Sequence, residues 1–318
     1  MSTNKFAFVS LFITRKCNLA CSYCNLPDND IYEMSGKEWI KVIDRVAPYV
    51  EFFNLIGGEP TLHPDLPEIV EHLNKIGANY SMVTNGTAPH IFYEYLINRC
   101  QIKSLCVSMD ELHPDDKKSE SMKSIHGRDL VNFIRNETNY KETLIISSVI
   151  STIDKFSNLA TFALTNNCKI ALSVRQFSDN EYQFNSNNPA GSKPSRENTI
   201  EVLKYIANRY SSFPLLDPFE YYIAMLNRYI FKEGEWKCRH GLTPAIDSNG
   251  DLWACFDFMG NVNPIIGRPR VNLLKEKFNP DTHFEAVRYE CLYCEGCTWN
   301  CPMVSEMVYD GIVKAEFL

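Results

Sequence analysis

The sequence predicts an α/β fold built on a mostly parallel sheet, and two patterns carry that prediction. Short apolar strands alternate with amphipathic helices along the first half of the chain, as in βαβ units joined by right-handed crossovers. Polar residues or glycines follow these strands, at the edge where the ligand site of such folds lies. About six β/α units would make either a doubly wound sheet or an incomplete barrel, and periodicity does not choose between them.

Each element is predicted from its apolar period and its flanking residues. Strands are expected at 6–14, 51–56, 80–83, 102–109, 143–150 and 170–176. Helices are expected at 35–46, 64–76, 89–98, 156–166, 200–210 and 218–231. The first helix follows a Ser-x-x-Glu capping pattern at Ser35 and Glu38. Residues 178–198 are rich in Asn, Ser and Pro, which predicts a long surface loop, and the chain from 235 onward predicts short strands and turns.

The composition excludes several classes of protein. Apolar residues make up 45% and charged residues 22% of the chain, as in a globule with a sizeable core. Lys and Arg number 32 against 39 Asp and Glu, and this net charge of −7 argues against nucleic-acid or anionic-membrane binding. The first residues lack a secretory layout, and no apolar run is long enough to span a membrane, so a cytoplasmic location is predicted.

Cysteine is the unusual residue, with twelve in 318 positions. In a cytosolic chain such a number favours metal binding over disulfides. Cys17, Cys21 and Cys24 form a C-x3-C-x2-C run directly after the first strand. Three thiolates on one short loop can ligate three corners of a cubane iron–sulfur cluster, whereas a closed structural site needs four ligands. The run therefore predicts a [4Fe–4S] cluster with one iron open to another ligand; a zinc site completed by a distant residue is the alternative.

The cysteine run resembles the signature of the radical S-adenosylmethionine (SAM) enzymes, in which an aromatic residue, here Tyr23, precedes the last cysteine. A second resemblance is the Gly57–Pro60 sequence Gly-Gly-Glu-Pro, which is similar to the GGE motif of that family. Asn85, Ser108 and Asp110 also fall where such enzymes carry similar residues. The resemblance covers most of the chain and implies a partial (β/α)6 TIM-like barrel.

The resemblance also implies how SAM would bind. Its amino and carboxylate groups would chelate the open iron, and Gly57 and Gly58, which lack Cβ, would let backbone approach the ligand. Glu59 would accept hydrogen bonds from the ammonium group or order the backbone around it. The implied SAM-binding residues are Tyr23, Gly57, Gly58, Glu59, Pro60, Asn85, Ser108 and Asp110. An external donor such as flavodoxin or ferredoxin would reduce the cluster, SAM would yield a 5′-deoxyadenosyl radical, and that radical would abstract hydrogen from an unactivated carbon.

A second group of cysteines lies near the end of the sequence: Cys238, Cys255, Cys291, Cys294, Cys297 and Cys301. It resembles the SPASM and twitch extensions of radical SAM enzymes, which hold one or two auxiliary [4Fe–4S] clusters. The Gly250-x4-Cys255 element matches, but the last group has x2 where x5 is usual, and no cysteine follows Cys301. We expect one auxiliary cluster and leave a second open. A zinc ribbon made by the last four cysteines is the alternative.

Together these features predict a barrel domain over 1–210 and an auxiliary-cluster domain over 211–318. The predicted function is hydrogen abstraction from a peptide or a sugar-like small molecule, with the auxiliary cluster assisting oxidation. One alternative is a redox-neutral radical epimerase, in which a cysteine such as Cys255 donates the hydrogen atom instead of ligating a cluster. A non-catalytic iron–sulfur carrier or zinc scaffold is the other, and it leaves the Gly57–Pro60 motif unexplained.

Overall fold

Strands and helices alternate in the computed structural model, which describes residues 5–21, 24, 28, 30–114, 119–149, 152–173, 196–231, 238–255, 259, 265–293 and 300–314. The strands are β1 (Val9–Thr14), β2 (Phe53–Gly57), β3 (Tyr80–Thr84), β4 (Ser104–Ser108), β5 (Thr143–Val149), β6 (Lys169–Ser173), β7 (Ala245–Ile246), β8 (Asp251–Trp253) and β9 (Val271–Asn272). The helices are α1 (Gly36–Val46), α2 (Leu66–Lys75), α3 (His90–Asn98), α4 (Ser119–Glu137), α5 (Ile153–Thr165), α6 (Arg196–Asn208), α7 (Phe219–Phe231), α8 (Pro280–Glu290) and α9 (Asn300–Tyr309).

The strand order decides between the two α/β architectures. It runs β6-β5-β4-β3-β2-β1-β7-β8-β9 in one sheet, and β1 to β6 are parallel neighbours in chain order. A doubly wound sheet reverses its order at a switch point, whereas a (β/α) barrel adds each strand beside the previous one. The chain is therefore a partial (β/α)6 barrel, whose functional edge lies at the carboxyl ends of these strands.

The core lies between the sheet and the helices that follow each strand. The apolar stripe of α2, which the 3.6-residue period predicts, is fully buried at Leu66, Ile69, Val70 and Leu73. The opposite face of the sheet forms the barrel interior, where Val83, Cys106, Ile145 and Ala171 make a smaller apolar cluster. This alternation follows the two-residue period of a strand, which sends successive side chains to opposite faces.

Two predicted segments need correction. Charge density around 115–123 predicts a solvated loop or helix face. A helix, α4, does begin at Ser119, but Lys123 is only 7% exposed, because it pairs with Asp110. The polar loop predicted to end at residue 198 ends earlier, because α6 begins at Arg196. The first part of that loop, 178–195, lies outside the described residues.

The C-terminal region is more helical than predicted. Beyond short strands it contains α8 and α9; α8 begins after Asn279, whose side chain accepts hydrogen bonds from the first turn, with Pro280 at the first helical position. The hairpin of β7 and β8 also extends the barrel sheet, since β7 pairs in parallel with β1. Within the described part of the chain, no helix is long and apolar enough to cross a membrane.

Candidate active site

The three cysteines of the N-terminal run lie on a loop that leaves the carboxyl end of β1. Cys17 is half-buried and Cys21 is 9% exposed. The loop turns tightly, because the backbone N–H of Cys24 donates to the carbonyl of Cys21 at 3.0 Å. The N–H of Leu19 points to the Cys17 Sγ at 3.4 Å. The sequence thus places soft thiol ligands on a short, partly shielded loop, as an iron–sulfur cluster requires.

The Gly57–Gly58 pair packs directly against the start of this loop. The N–H of Gly58 donates to the Thr14 carbonyl at 2.9 Å, and the N–H of Glu59 donates to the Lys16 carbonyl at 2.7 Å. A Cβ on Gly57 would overlap the Thr14 carbonyl oxygen, and a Cβ on Gly58 would overlap the Lys16 carbonyl oxygen. The close approach predicted for a ligand is therefore made by the chain's own backbone, which needs glycine to hold the cysteine loop against β2.

Glu59 is buried, and its carboxylate is hydrogen-bonded to several groups of the protein rather than exposed to a ligand. Its carboxylate accepts hydrogen bonds from Thr61 N–H at 3.1 Å and Thr61 Oγ1 at 2.7 Å, from Thr84 Oγ1 at 2.7 Å, and from Asn85 N–H at 2.7 Å. Burial raises the pKa of Glu59, and these donors oppose that rise. Of its two predicted roles, the ordering of backbone is the one that these contacts support. Pro60 opens the single 3-10 turn that follows.

Asn85 links the carboxyl end of β3 to the cysteine loop. Its Nδ2 lies 3.9 Å from Cys17 Sγ and donates to Asn18 Oδ1 at 3.0 Å. Thr87 Oγ1 donates to Asn85 Oδ1 at 2.6 Å and accepts from Asn18 Nδ2 at 2.8 Å. Burial raises the pKa of the Cys17 thiol, and the Leu19 and Asn85 donors lower it. The sequence analysis did not identify Asn18 or Thr87 as site residues. The one feature that could have indicated them is that each is a polar residue beside a predicted site residue, Cys17 or Asn85.

Ser108 and Asp110 follow β4, as predicted, but the Asp110 carboxylate is occupied by the fold. Its Oδ2 pairs with Lys123 Nζ at 2.7 Å, and its Oδ1 accepts from the Val149 N–H at 3.0 Å. Asp110 thus ties the ends of β4, α4 and β5 together. Ser108 is half-buried and pairs in register with Ser147 on β5, so its hydroxyl remains the better candidate for a ligand contact at this edge.

The four C-terminal cysteines that the structure describes lie in two places. Cys238, Cys255 and Cys291 pack on one apolar cluster that also contains Trp253. Cys301 begins α9 elsewhere: burial raises its pKa, and nearby Asp217 and Cys106 raise it further. The predicted residues Tyr23, Cys294 and Cys297 lie outside the described residues.

Among the residues that the structure describes, no three His, Cys, Asp or Glu side chains are arranged to hold a single metal ion. A cubane cluster needs a different arrangement of ligands from a single metal ion, because each thiolate binds a separate iron. The N-terminal loop fits that group by its donor set: three thiols on one loop, an amide donor beside Cys17, and backbone held close by two glycines.

The comparison with known families agrees with this site. Residues 11–151 match the family model of the radical SAM superfamily. The chain carries a radical SAM domain. This radical SAM domain begins within β1 and ends after β5, so it includes the cysteine loop, the glycine pair and Asn85. The fold implies a [4Fe–4S] cluster and SAM as its cofactors.

Curated relatives match part of the chain rather than the whole of it. The S-adenosylmethionine-dependent nucleotide dehydratase of Selenomonas ruminantium is 31% identical over 116 residues, which cover 33% of this chain and 40% of that protein. GTP 3′,8-cyclase 1 of Mycobacterium tuberculosis is 29% identical over 177 residues, covering 50% of this chain and 48% of that protein. The chain therefore spans less than half the length of these two relatives.

Solved structures share the fold over most of the chain. Streptococcus suis SuiB bound to the precursor peptide SuiA has a TM-score of 0.68 and 16% identity, covering 90% of this chain and 66% of that one. The native anSMEcpe with bound AdoMet and Kp18Cys peptide has a TM-score of 0.55 and 16% identity, covering 91% of this chain and 86% of that one. At these identities the likeness is one of fold.

Proposed function

We propose that this protein is a radical SAM enzyme that cleaves SAM reductively and abstracts a hydrogen atom from an unactivated C–H bond of a peptide or small molecule. The single observation that carries the proposal is the assembly at the carboxyl ends of β1, β2 and β3. There the backbone of Gly58 and Glu59 is hydrogen-bonded to the start of the thiol loop. Asn85, whose backbone N–H donates to the Glu59 carboxylate, places its side-chain amide 3.9 Å from Cys17 Sγ. When bound, the reduced cluster and SAM supply hydrogen-atom abstraction.

The chain's own residues prepare this chemistry. Cys17, Cys21 and Cys24 provide the thiolates, and the Asn85 amide stabilises negative charge on Cys17 by donating toward its sulfur. Glu59 holds the Asn85 backbone in place through a 2.7 Å hydrogen bond, so the end of β3 cannot drift from the end of β2. Glu59 and Asn85 are buried, which keeps water away from this side of the site.

An auxiliary cluster at the C-terminal cysteines is the second part of the proposal. Cys238, Cys255 and Cys291 share one apolar cluster although they are far apart in sequence, which supports a common role as ligands. Such a cluster would accept an electron from the substrate radical and so make the net reaction an oxidation. Cys294 or Cys297 would complete the ligand set. Cys301, which adjoins Asp217 and Cys106, is the C-terminal cysteine with the weakest support as a ligand of that cluster.

The substrate class rests on the proteins that this chain resembles. SuiB was solved with a precursor peptide and anSMEcpe with the Kp18Cys peptide, whereas the two curated relatives described above are named for nucleotide reactions. The fold likeness covers most of the chain, so a peptide is the first substrate class to test and small molecules the second. A flavodoxin or ferredoxin would supply the electron.

The test is SAM cleavage by the anaerobically reconstituted protein with dithionite. We expect 5′-deoxyadenosine from the wild-type chain and from Cys168→Ala, which removes a buried thiol just before the amino end of β6, away from the predicted site. The Cys17→Ala/Cys21→Ala/Cys24→Ala variant should yield none. A wild-type chain that binds iron but makes no 5′-deoxyadenosine would instead support an electron carrier. Deuterium from solvent in the product carbon would favour the epimerase, because an exchangeable thiol would then be the hydrogen donor.

A further inference from the structure

We infer that the buried ion pair between Arg15 and Asp247 positions the cysteine loop for SAM, so that the turn of the C-terminal hairpin supports the SAM site through that loop. The inference rests on the proposed function. Arg15 and Asp247 are 232 positions apart in the sequence. Arg15 lies just before the N-terminal cysteines, and Asp247 lies just before the Gly250-x4-Cys255 element.

The pair has the geometry of a rigid two-point contact. Arg15 Nε donates to Asp247 Oδ1 at 2.7 Å, and a second guanidinium nitrogen donates to Oδ2 at 2.7 Å. The two side chains are 1% and 6% exposed. Arg15 follows β1 and Asp247 follows β7, and these strands are parallel neighbours, so both residues leave the same edge of the sheet. A planar guanidinium held at two points fixes the direction as well as the position of the chain that carries it.

The same turn also holds the far end of the cysteine loop. The N–H of Met34 donates to the Ser248 carbonyl at 2.8 Å, and Ser248 Oγ donates to the Tyr32 carbonyl at 3.3 Å. The segment 15–34, which contains all three cysteines, is thus bonded near both ends to residues 247 and 248. The loop cannot move as a unit without breaking this contact.

Asp247 is itself held firmly. Its Oδ1 accepts from the Ser248 N–H at 2.7 Å, its backbone N–H donates to the Asp251 carbonyl at 2.9 Å, and its carbonyl accepts from the Gly250 N–H at 2.9 Å. β8 then leads from this turn to Cys255. The turn at residues 247–250 therefore supports the loop of the N-terminal cysteines. It also leads into β8, the strand that precedes Cys255.

Stability alone does not account for such a pair. Removing two charges from water costs several kcal/mol per ion, and apolar residues of similar volume often replace a buried pair without loss. An apolar pair of the same volume would not fix the direction in which the backbone at Arg15 leaves β1. The geometry therefore assigns Arg15 and Asp247 the role of positioning residues, which act on SAM through the thiol loop and do not contact it in the reaction.

The experiment compares the double variant Arg15→Met/Asp247→Leu with Arg15→Lys and with Arg135→Lys as a matched control. The guanidinium of Arg135 also makes several hydrogen bonds, to the carbonyls of Tyr140, Asn166 and Asn167, but these lie away from the cysteine groups. Each full-length chain is reconstituted anaerobically, and thermal unfolding, SAM affinity and the EPR spectrum of the reduced SAM-bound cluster are measured. We expect the double variant to fold with a lower melting temperature, because the buried Ser248 N–H loses its acceptor, and to bind SAM about tenfold more weakly with an altered EPR spectrum.

Arg15→Lys keeps a charge beside Asp247 but loses the two-point contact, so it should also weaken SAM binding, while Arg135→Lys should not. A folded double variant with wild-type SAM affinity and spectrum would overturn the positioning role, whatever its melting temperature. Should the double variant not fold, a folded Arg15→Lys with unchanged SAM affinity and spectrum would overturn it equally. If the wild-type chain makes no 5′-deoxyadenosine, the proposed function is wrong, but the positioning role can still be tested. The measurement is then the rate at which a chelator removes iron from Cys17, Cys21 and Cys24. The double variant should increase this rate about tenfold.

Discussion

The carboxylate of Glu59 accepts hydrogen bonds from Thr61, Thr84 and Asn85, and it is 1% exposed. Each of these donors loses its partner if the acceptor is removed, and a buried donor without a partner costs about 1–3 kcal/mol. The residue therefore holds two backbone segments in register, the turn that follows β2 and the end of β3. This explains why a glutamate belongs beside two glycines even though its charge does not face the open side of the site.

Glu59→Gln replaces one acceptor oxygen with an NH2 group that must face a donor. We expect the free energy of unfolding to fall by about 1–3 kcal/mol and SAM cleavage to fall with it, because the Asn85 amide is no longer fixed beside Cys17. Denaturant unfolding and 5′-deoxyadenosine formation measure both effects. Glu94→Gln, at an exposed position on α3, is the control and should change neither. Equal behaviour of the two variants would contradict the role assigned to Glu59.

Gly58→Ala tests the contact between β2 and the cysteine loop. The new Cβ would overlap the Lys16 carbonyl oxygen and must push the loop away, at a cost of about 1–3 kcal/mol. Gly77→Ala is the matched control: Gly77 has a φ of +70° but nothing within 4 Å of its added Cβ, so it carries only backbone strain of roughly 1–2 kcal/mol. We expect both variants to lose stability and only Gly58→Ala to lose iron bound to the N-terminal cysteines. Full iron binding by Gly58→Ala would show that the loop does not need this contact.

At the scale of elements, the β/α repeat was predictable because periodicity is local. The stripe of α2, for example, is buried as its spacing predicts. Helices α8 and α9 lie in a region for which the sequence predicts only short strands and turns, although Asn279 followed by Pro280 is a helix-start signal. The site was predictable where motifs are contiguous, as at Gly57–Pro60. The Arg15–Asp247 contact was not, since no local pattern relates residues 232 positions apart.

Helix α8 carries a pH-sensitive residue. His283 is 4% exposed among Phe6, Phe278 and Phe284, and neither ring nitrogen has a hydrogen-bond partner in the described part of the chain. Burial, with a smaller effect of the Arg270 charge, lowers the pKa of His283 to about 3. The unfolded chain binds this proton below about pH 6.5 and the folded chain does not until about pH 3, so stability falls as the pH falls through that range.

His283→Leu should remove this dependence. The unfolding free energy of the wild type should fall, relative to the variant, by about 1.4 kcal/mol for each pH unit below about 6.5. Denaturant unfolding at several pH values between about 5 and 7.5 measures the difference, and comparing chains at the same pH cancels any common loss of iron. His90→Leu, at an exposed histidine of α3, controls for the loss of a histidine as such. Parallel pH profiles for wild type and His283→Leu would contradict the assignment.

At the scale of the whole molecule, the two cysteine groups lie toward different ends of the strands. Cys17 follows the carboxyl end of β1, whereas β8 runs antiparallel to β7 and so carries the chain back toward the amino end of β1 before Cys255. The surroundings of the groups also differ: Asn85 and the glycine pair adjoin the first, and an apolar cluster with Trp253 adjoins the second. Each group should therefore bind its iron without the other.

Iron and sulfide analysis with Mössbauer spectra tests that independence on anaerobically reconstituted chains. At four irons per cubane, we expect about eight irons in the wild type and about four in Cys17→Ala/Cys21→Ala/Cys24→Ala. The complementary variant Cys238→Ala/Cys255→Ala/Cys291→Ala should also keep about four, and it should retain SAM cleavage because its N-terminal loop is intact. Cys100→Ala, at a thiol buried after α3, is the control and should keep all of its iron. If the wild type binds about twelve irons and the N-terminal variant about eight, the chain holds two auxiliary clusters. If the wild type binds only about four irons and the N-terminal variant binds none, the C-terminal cysteines bind another metal such as zinc.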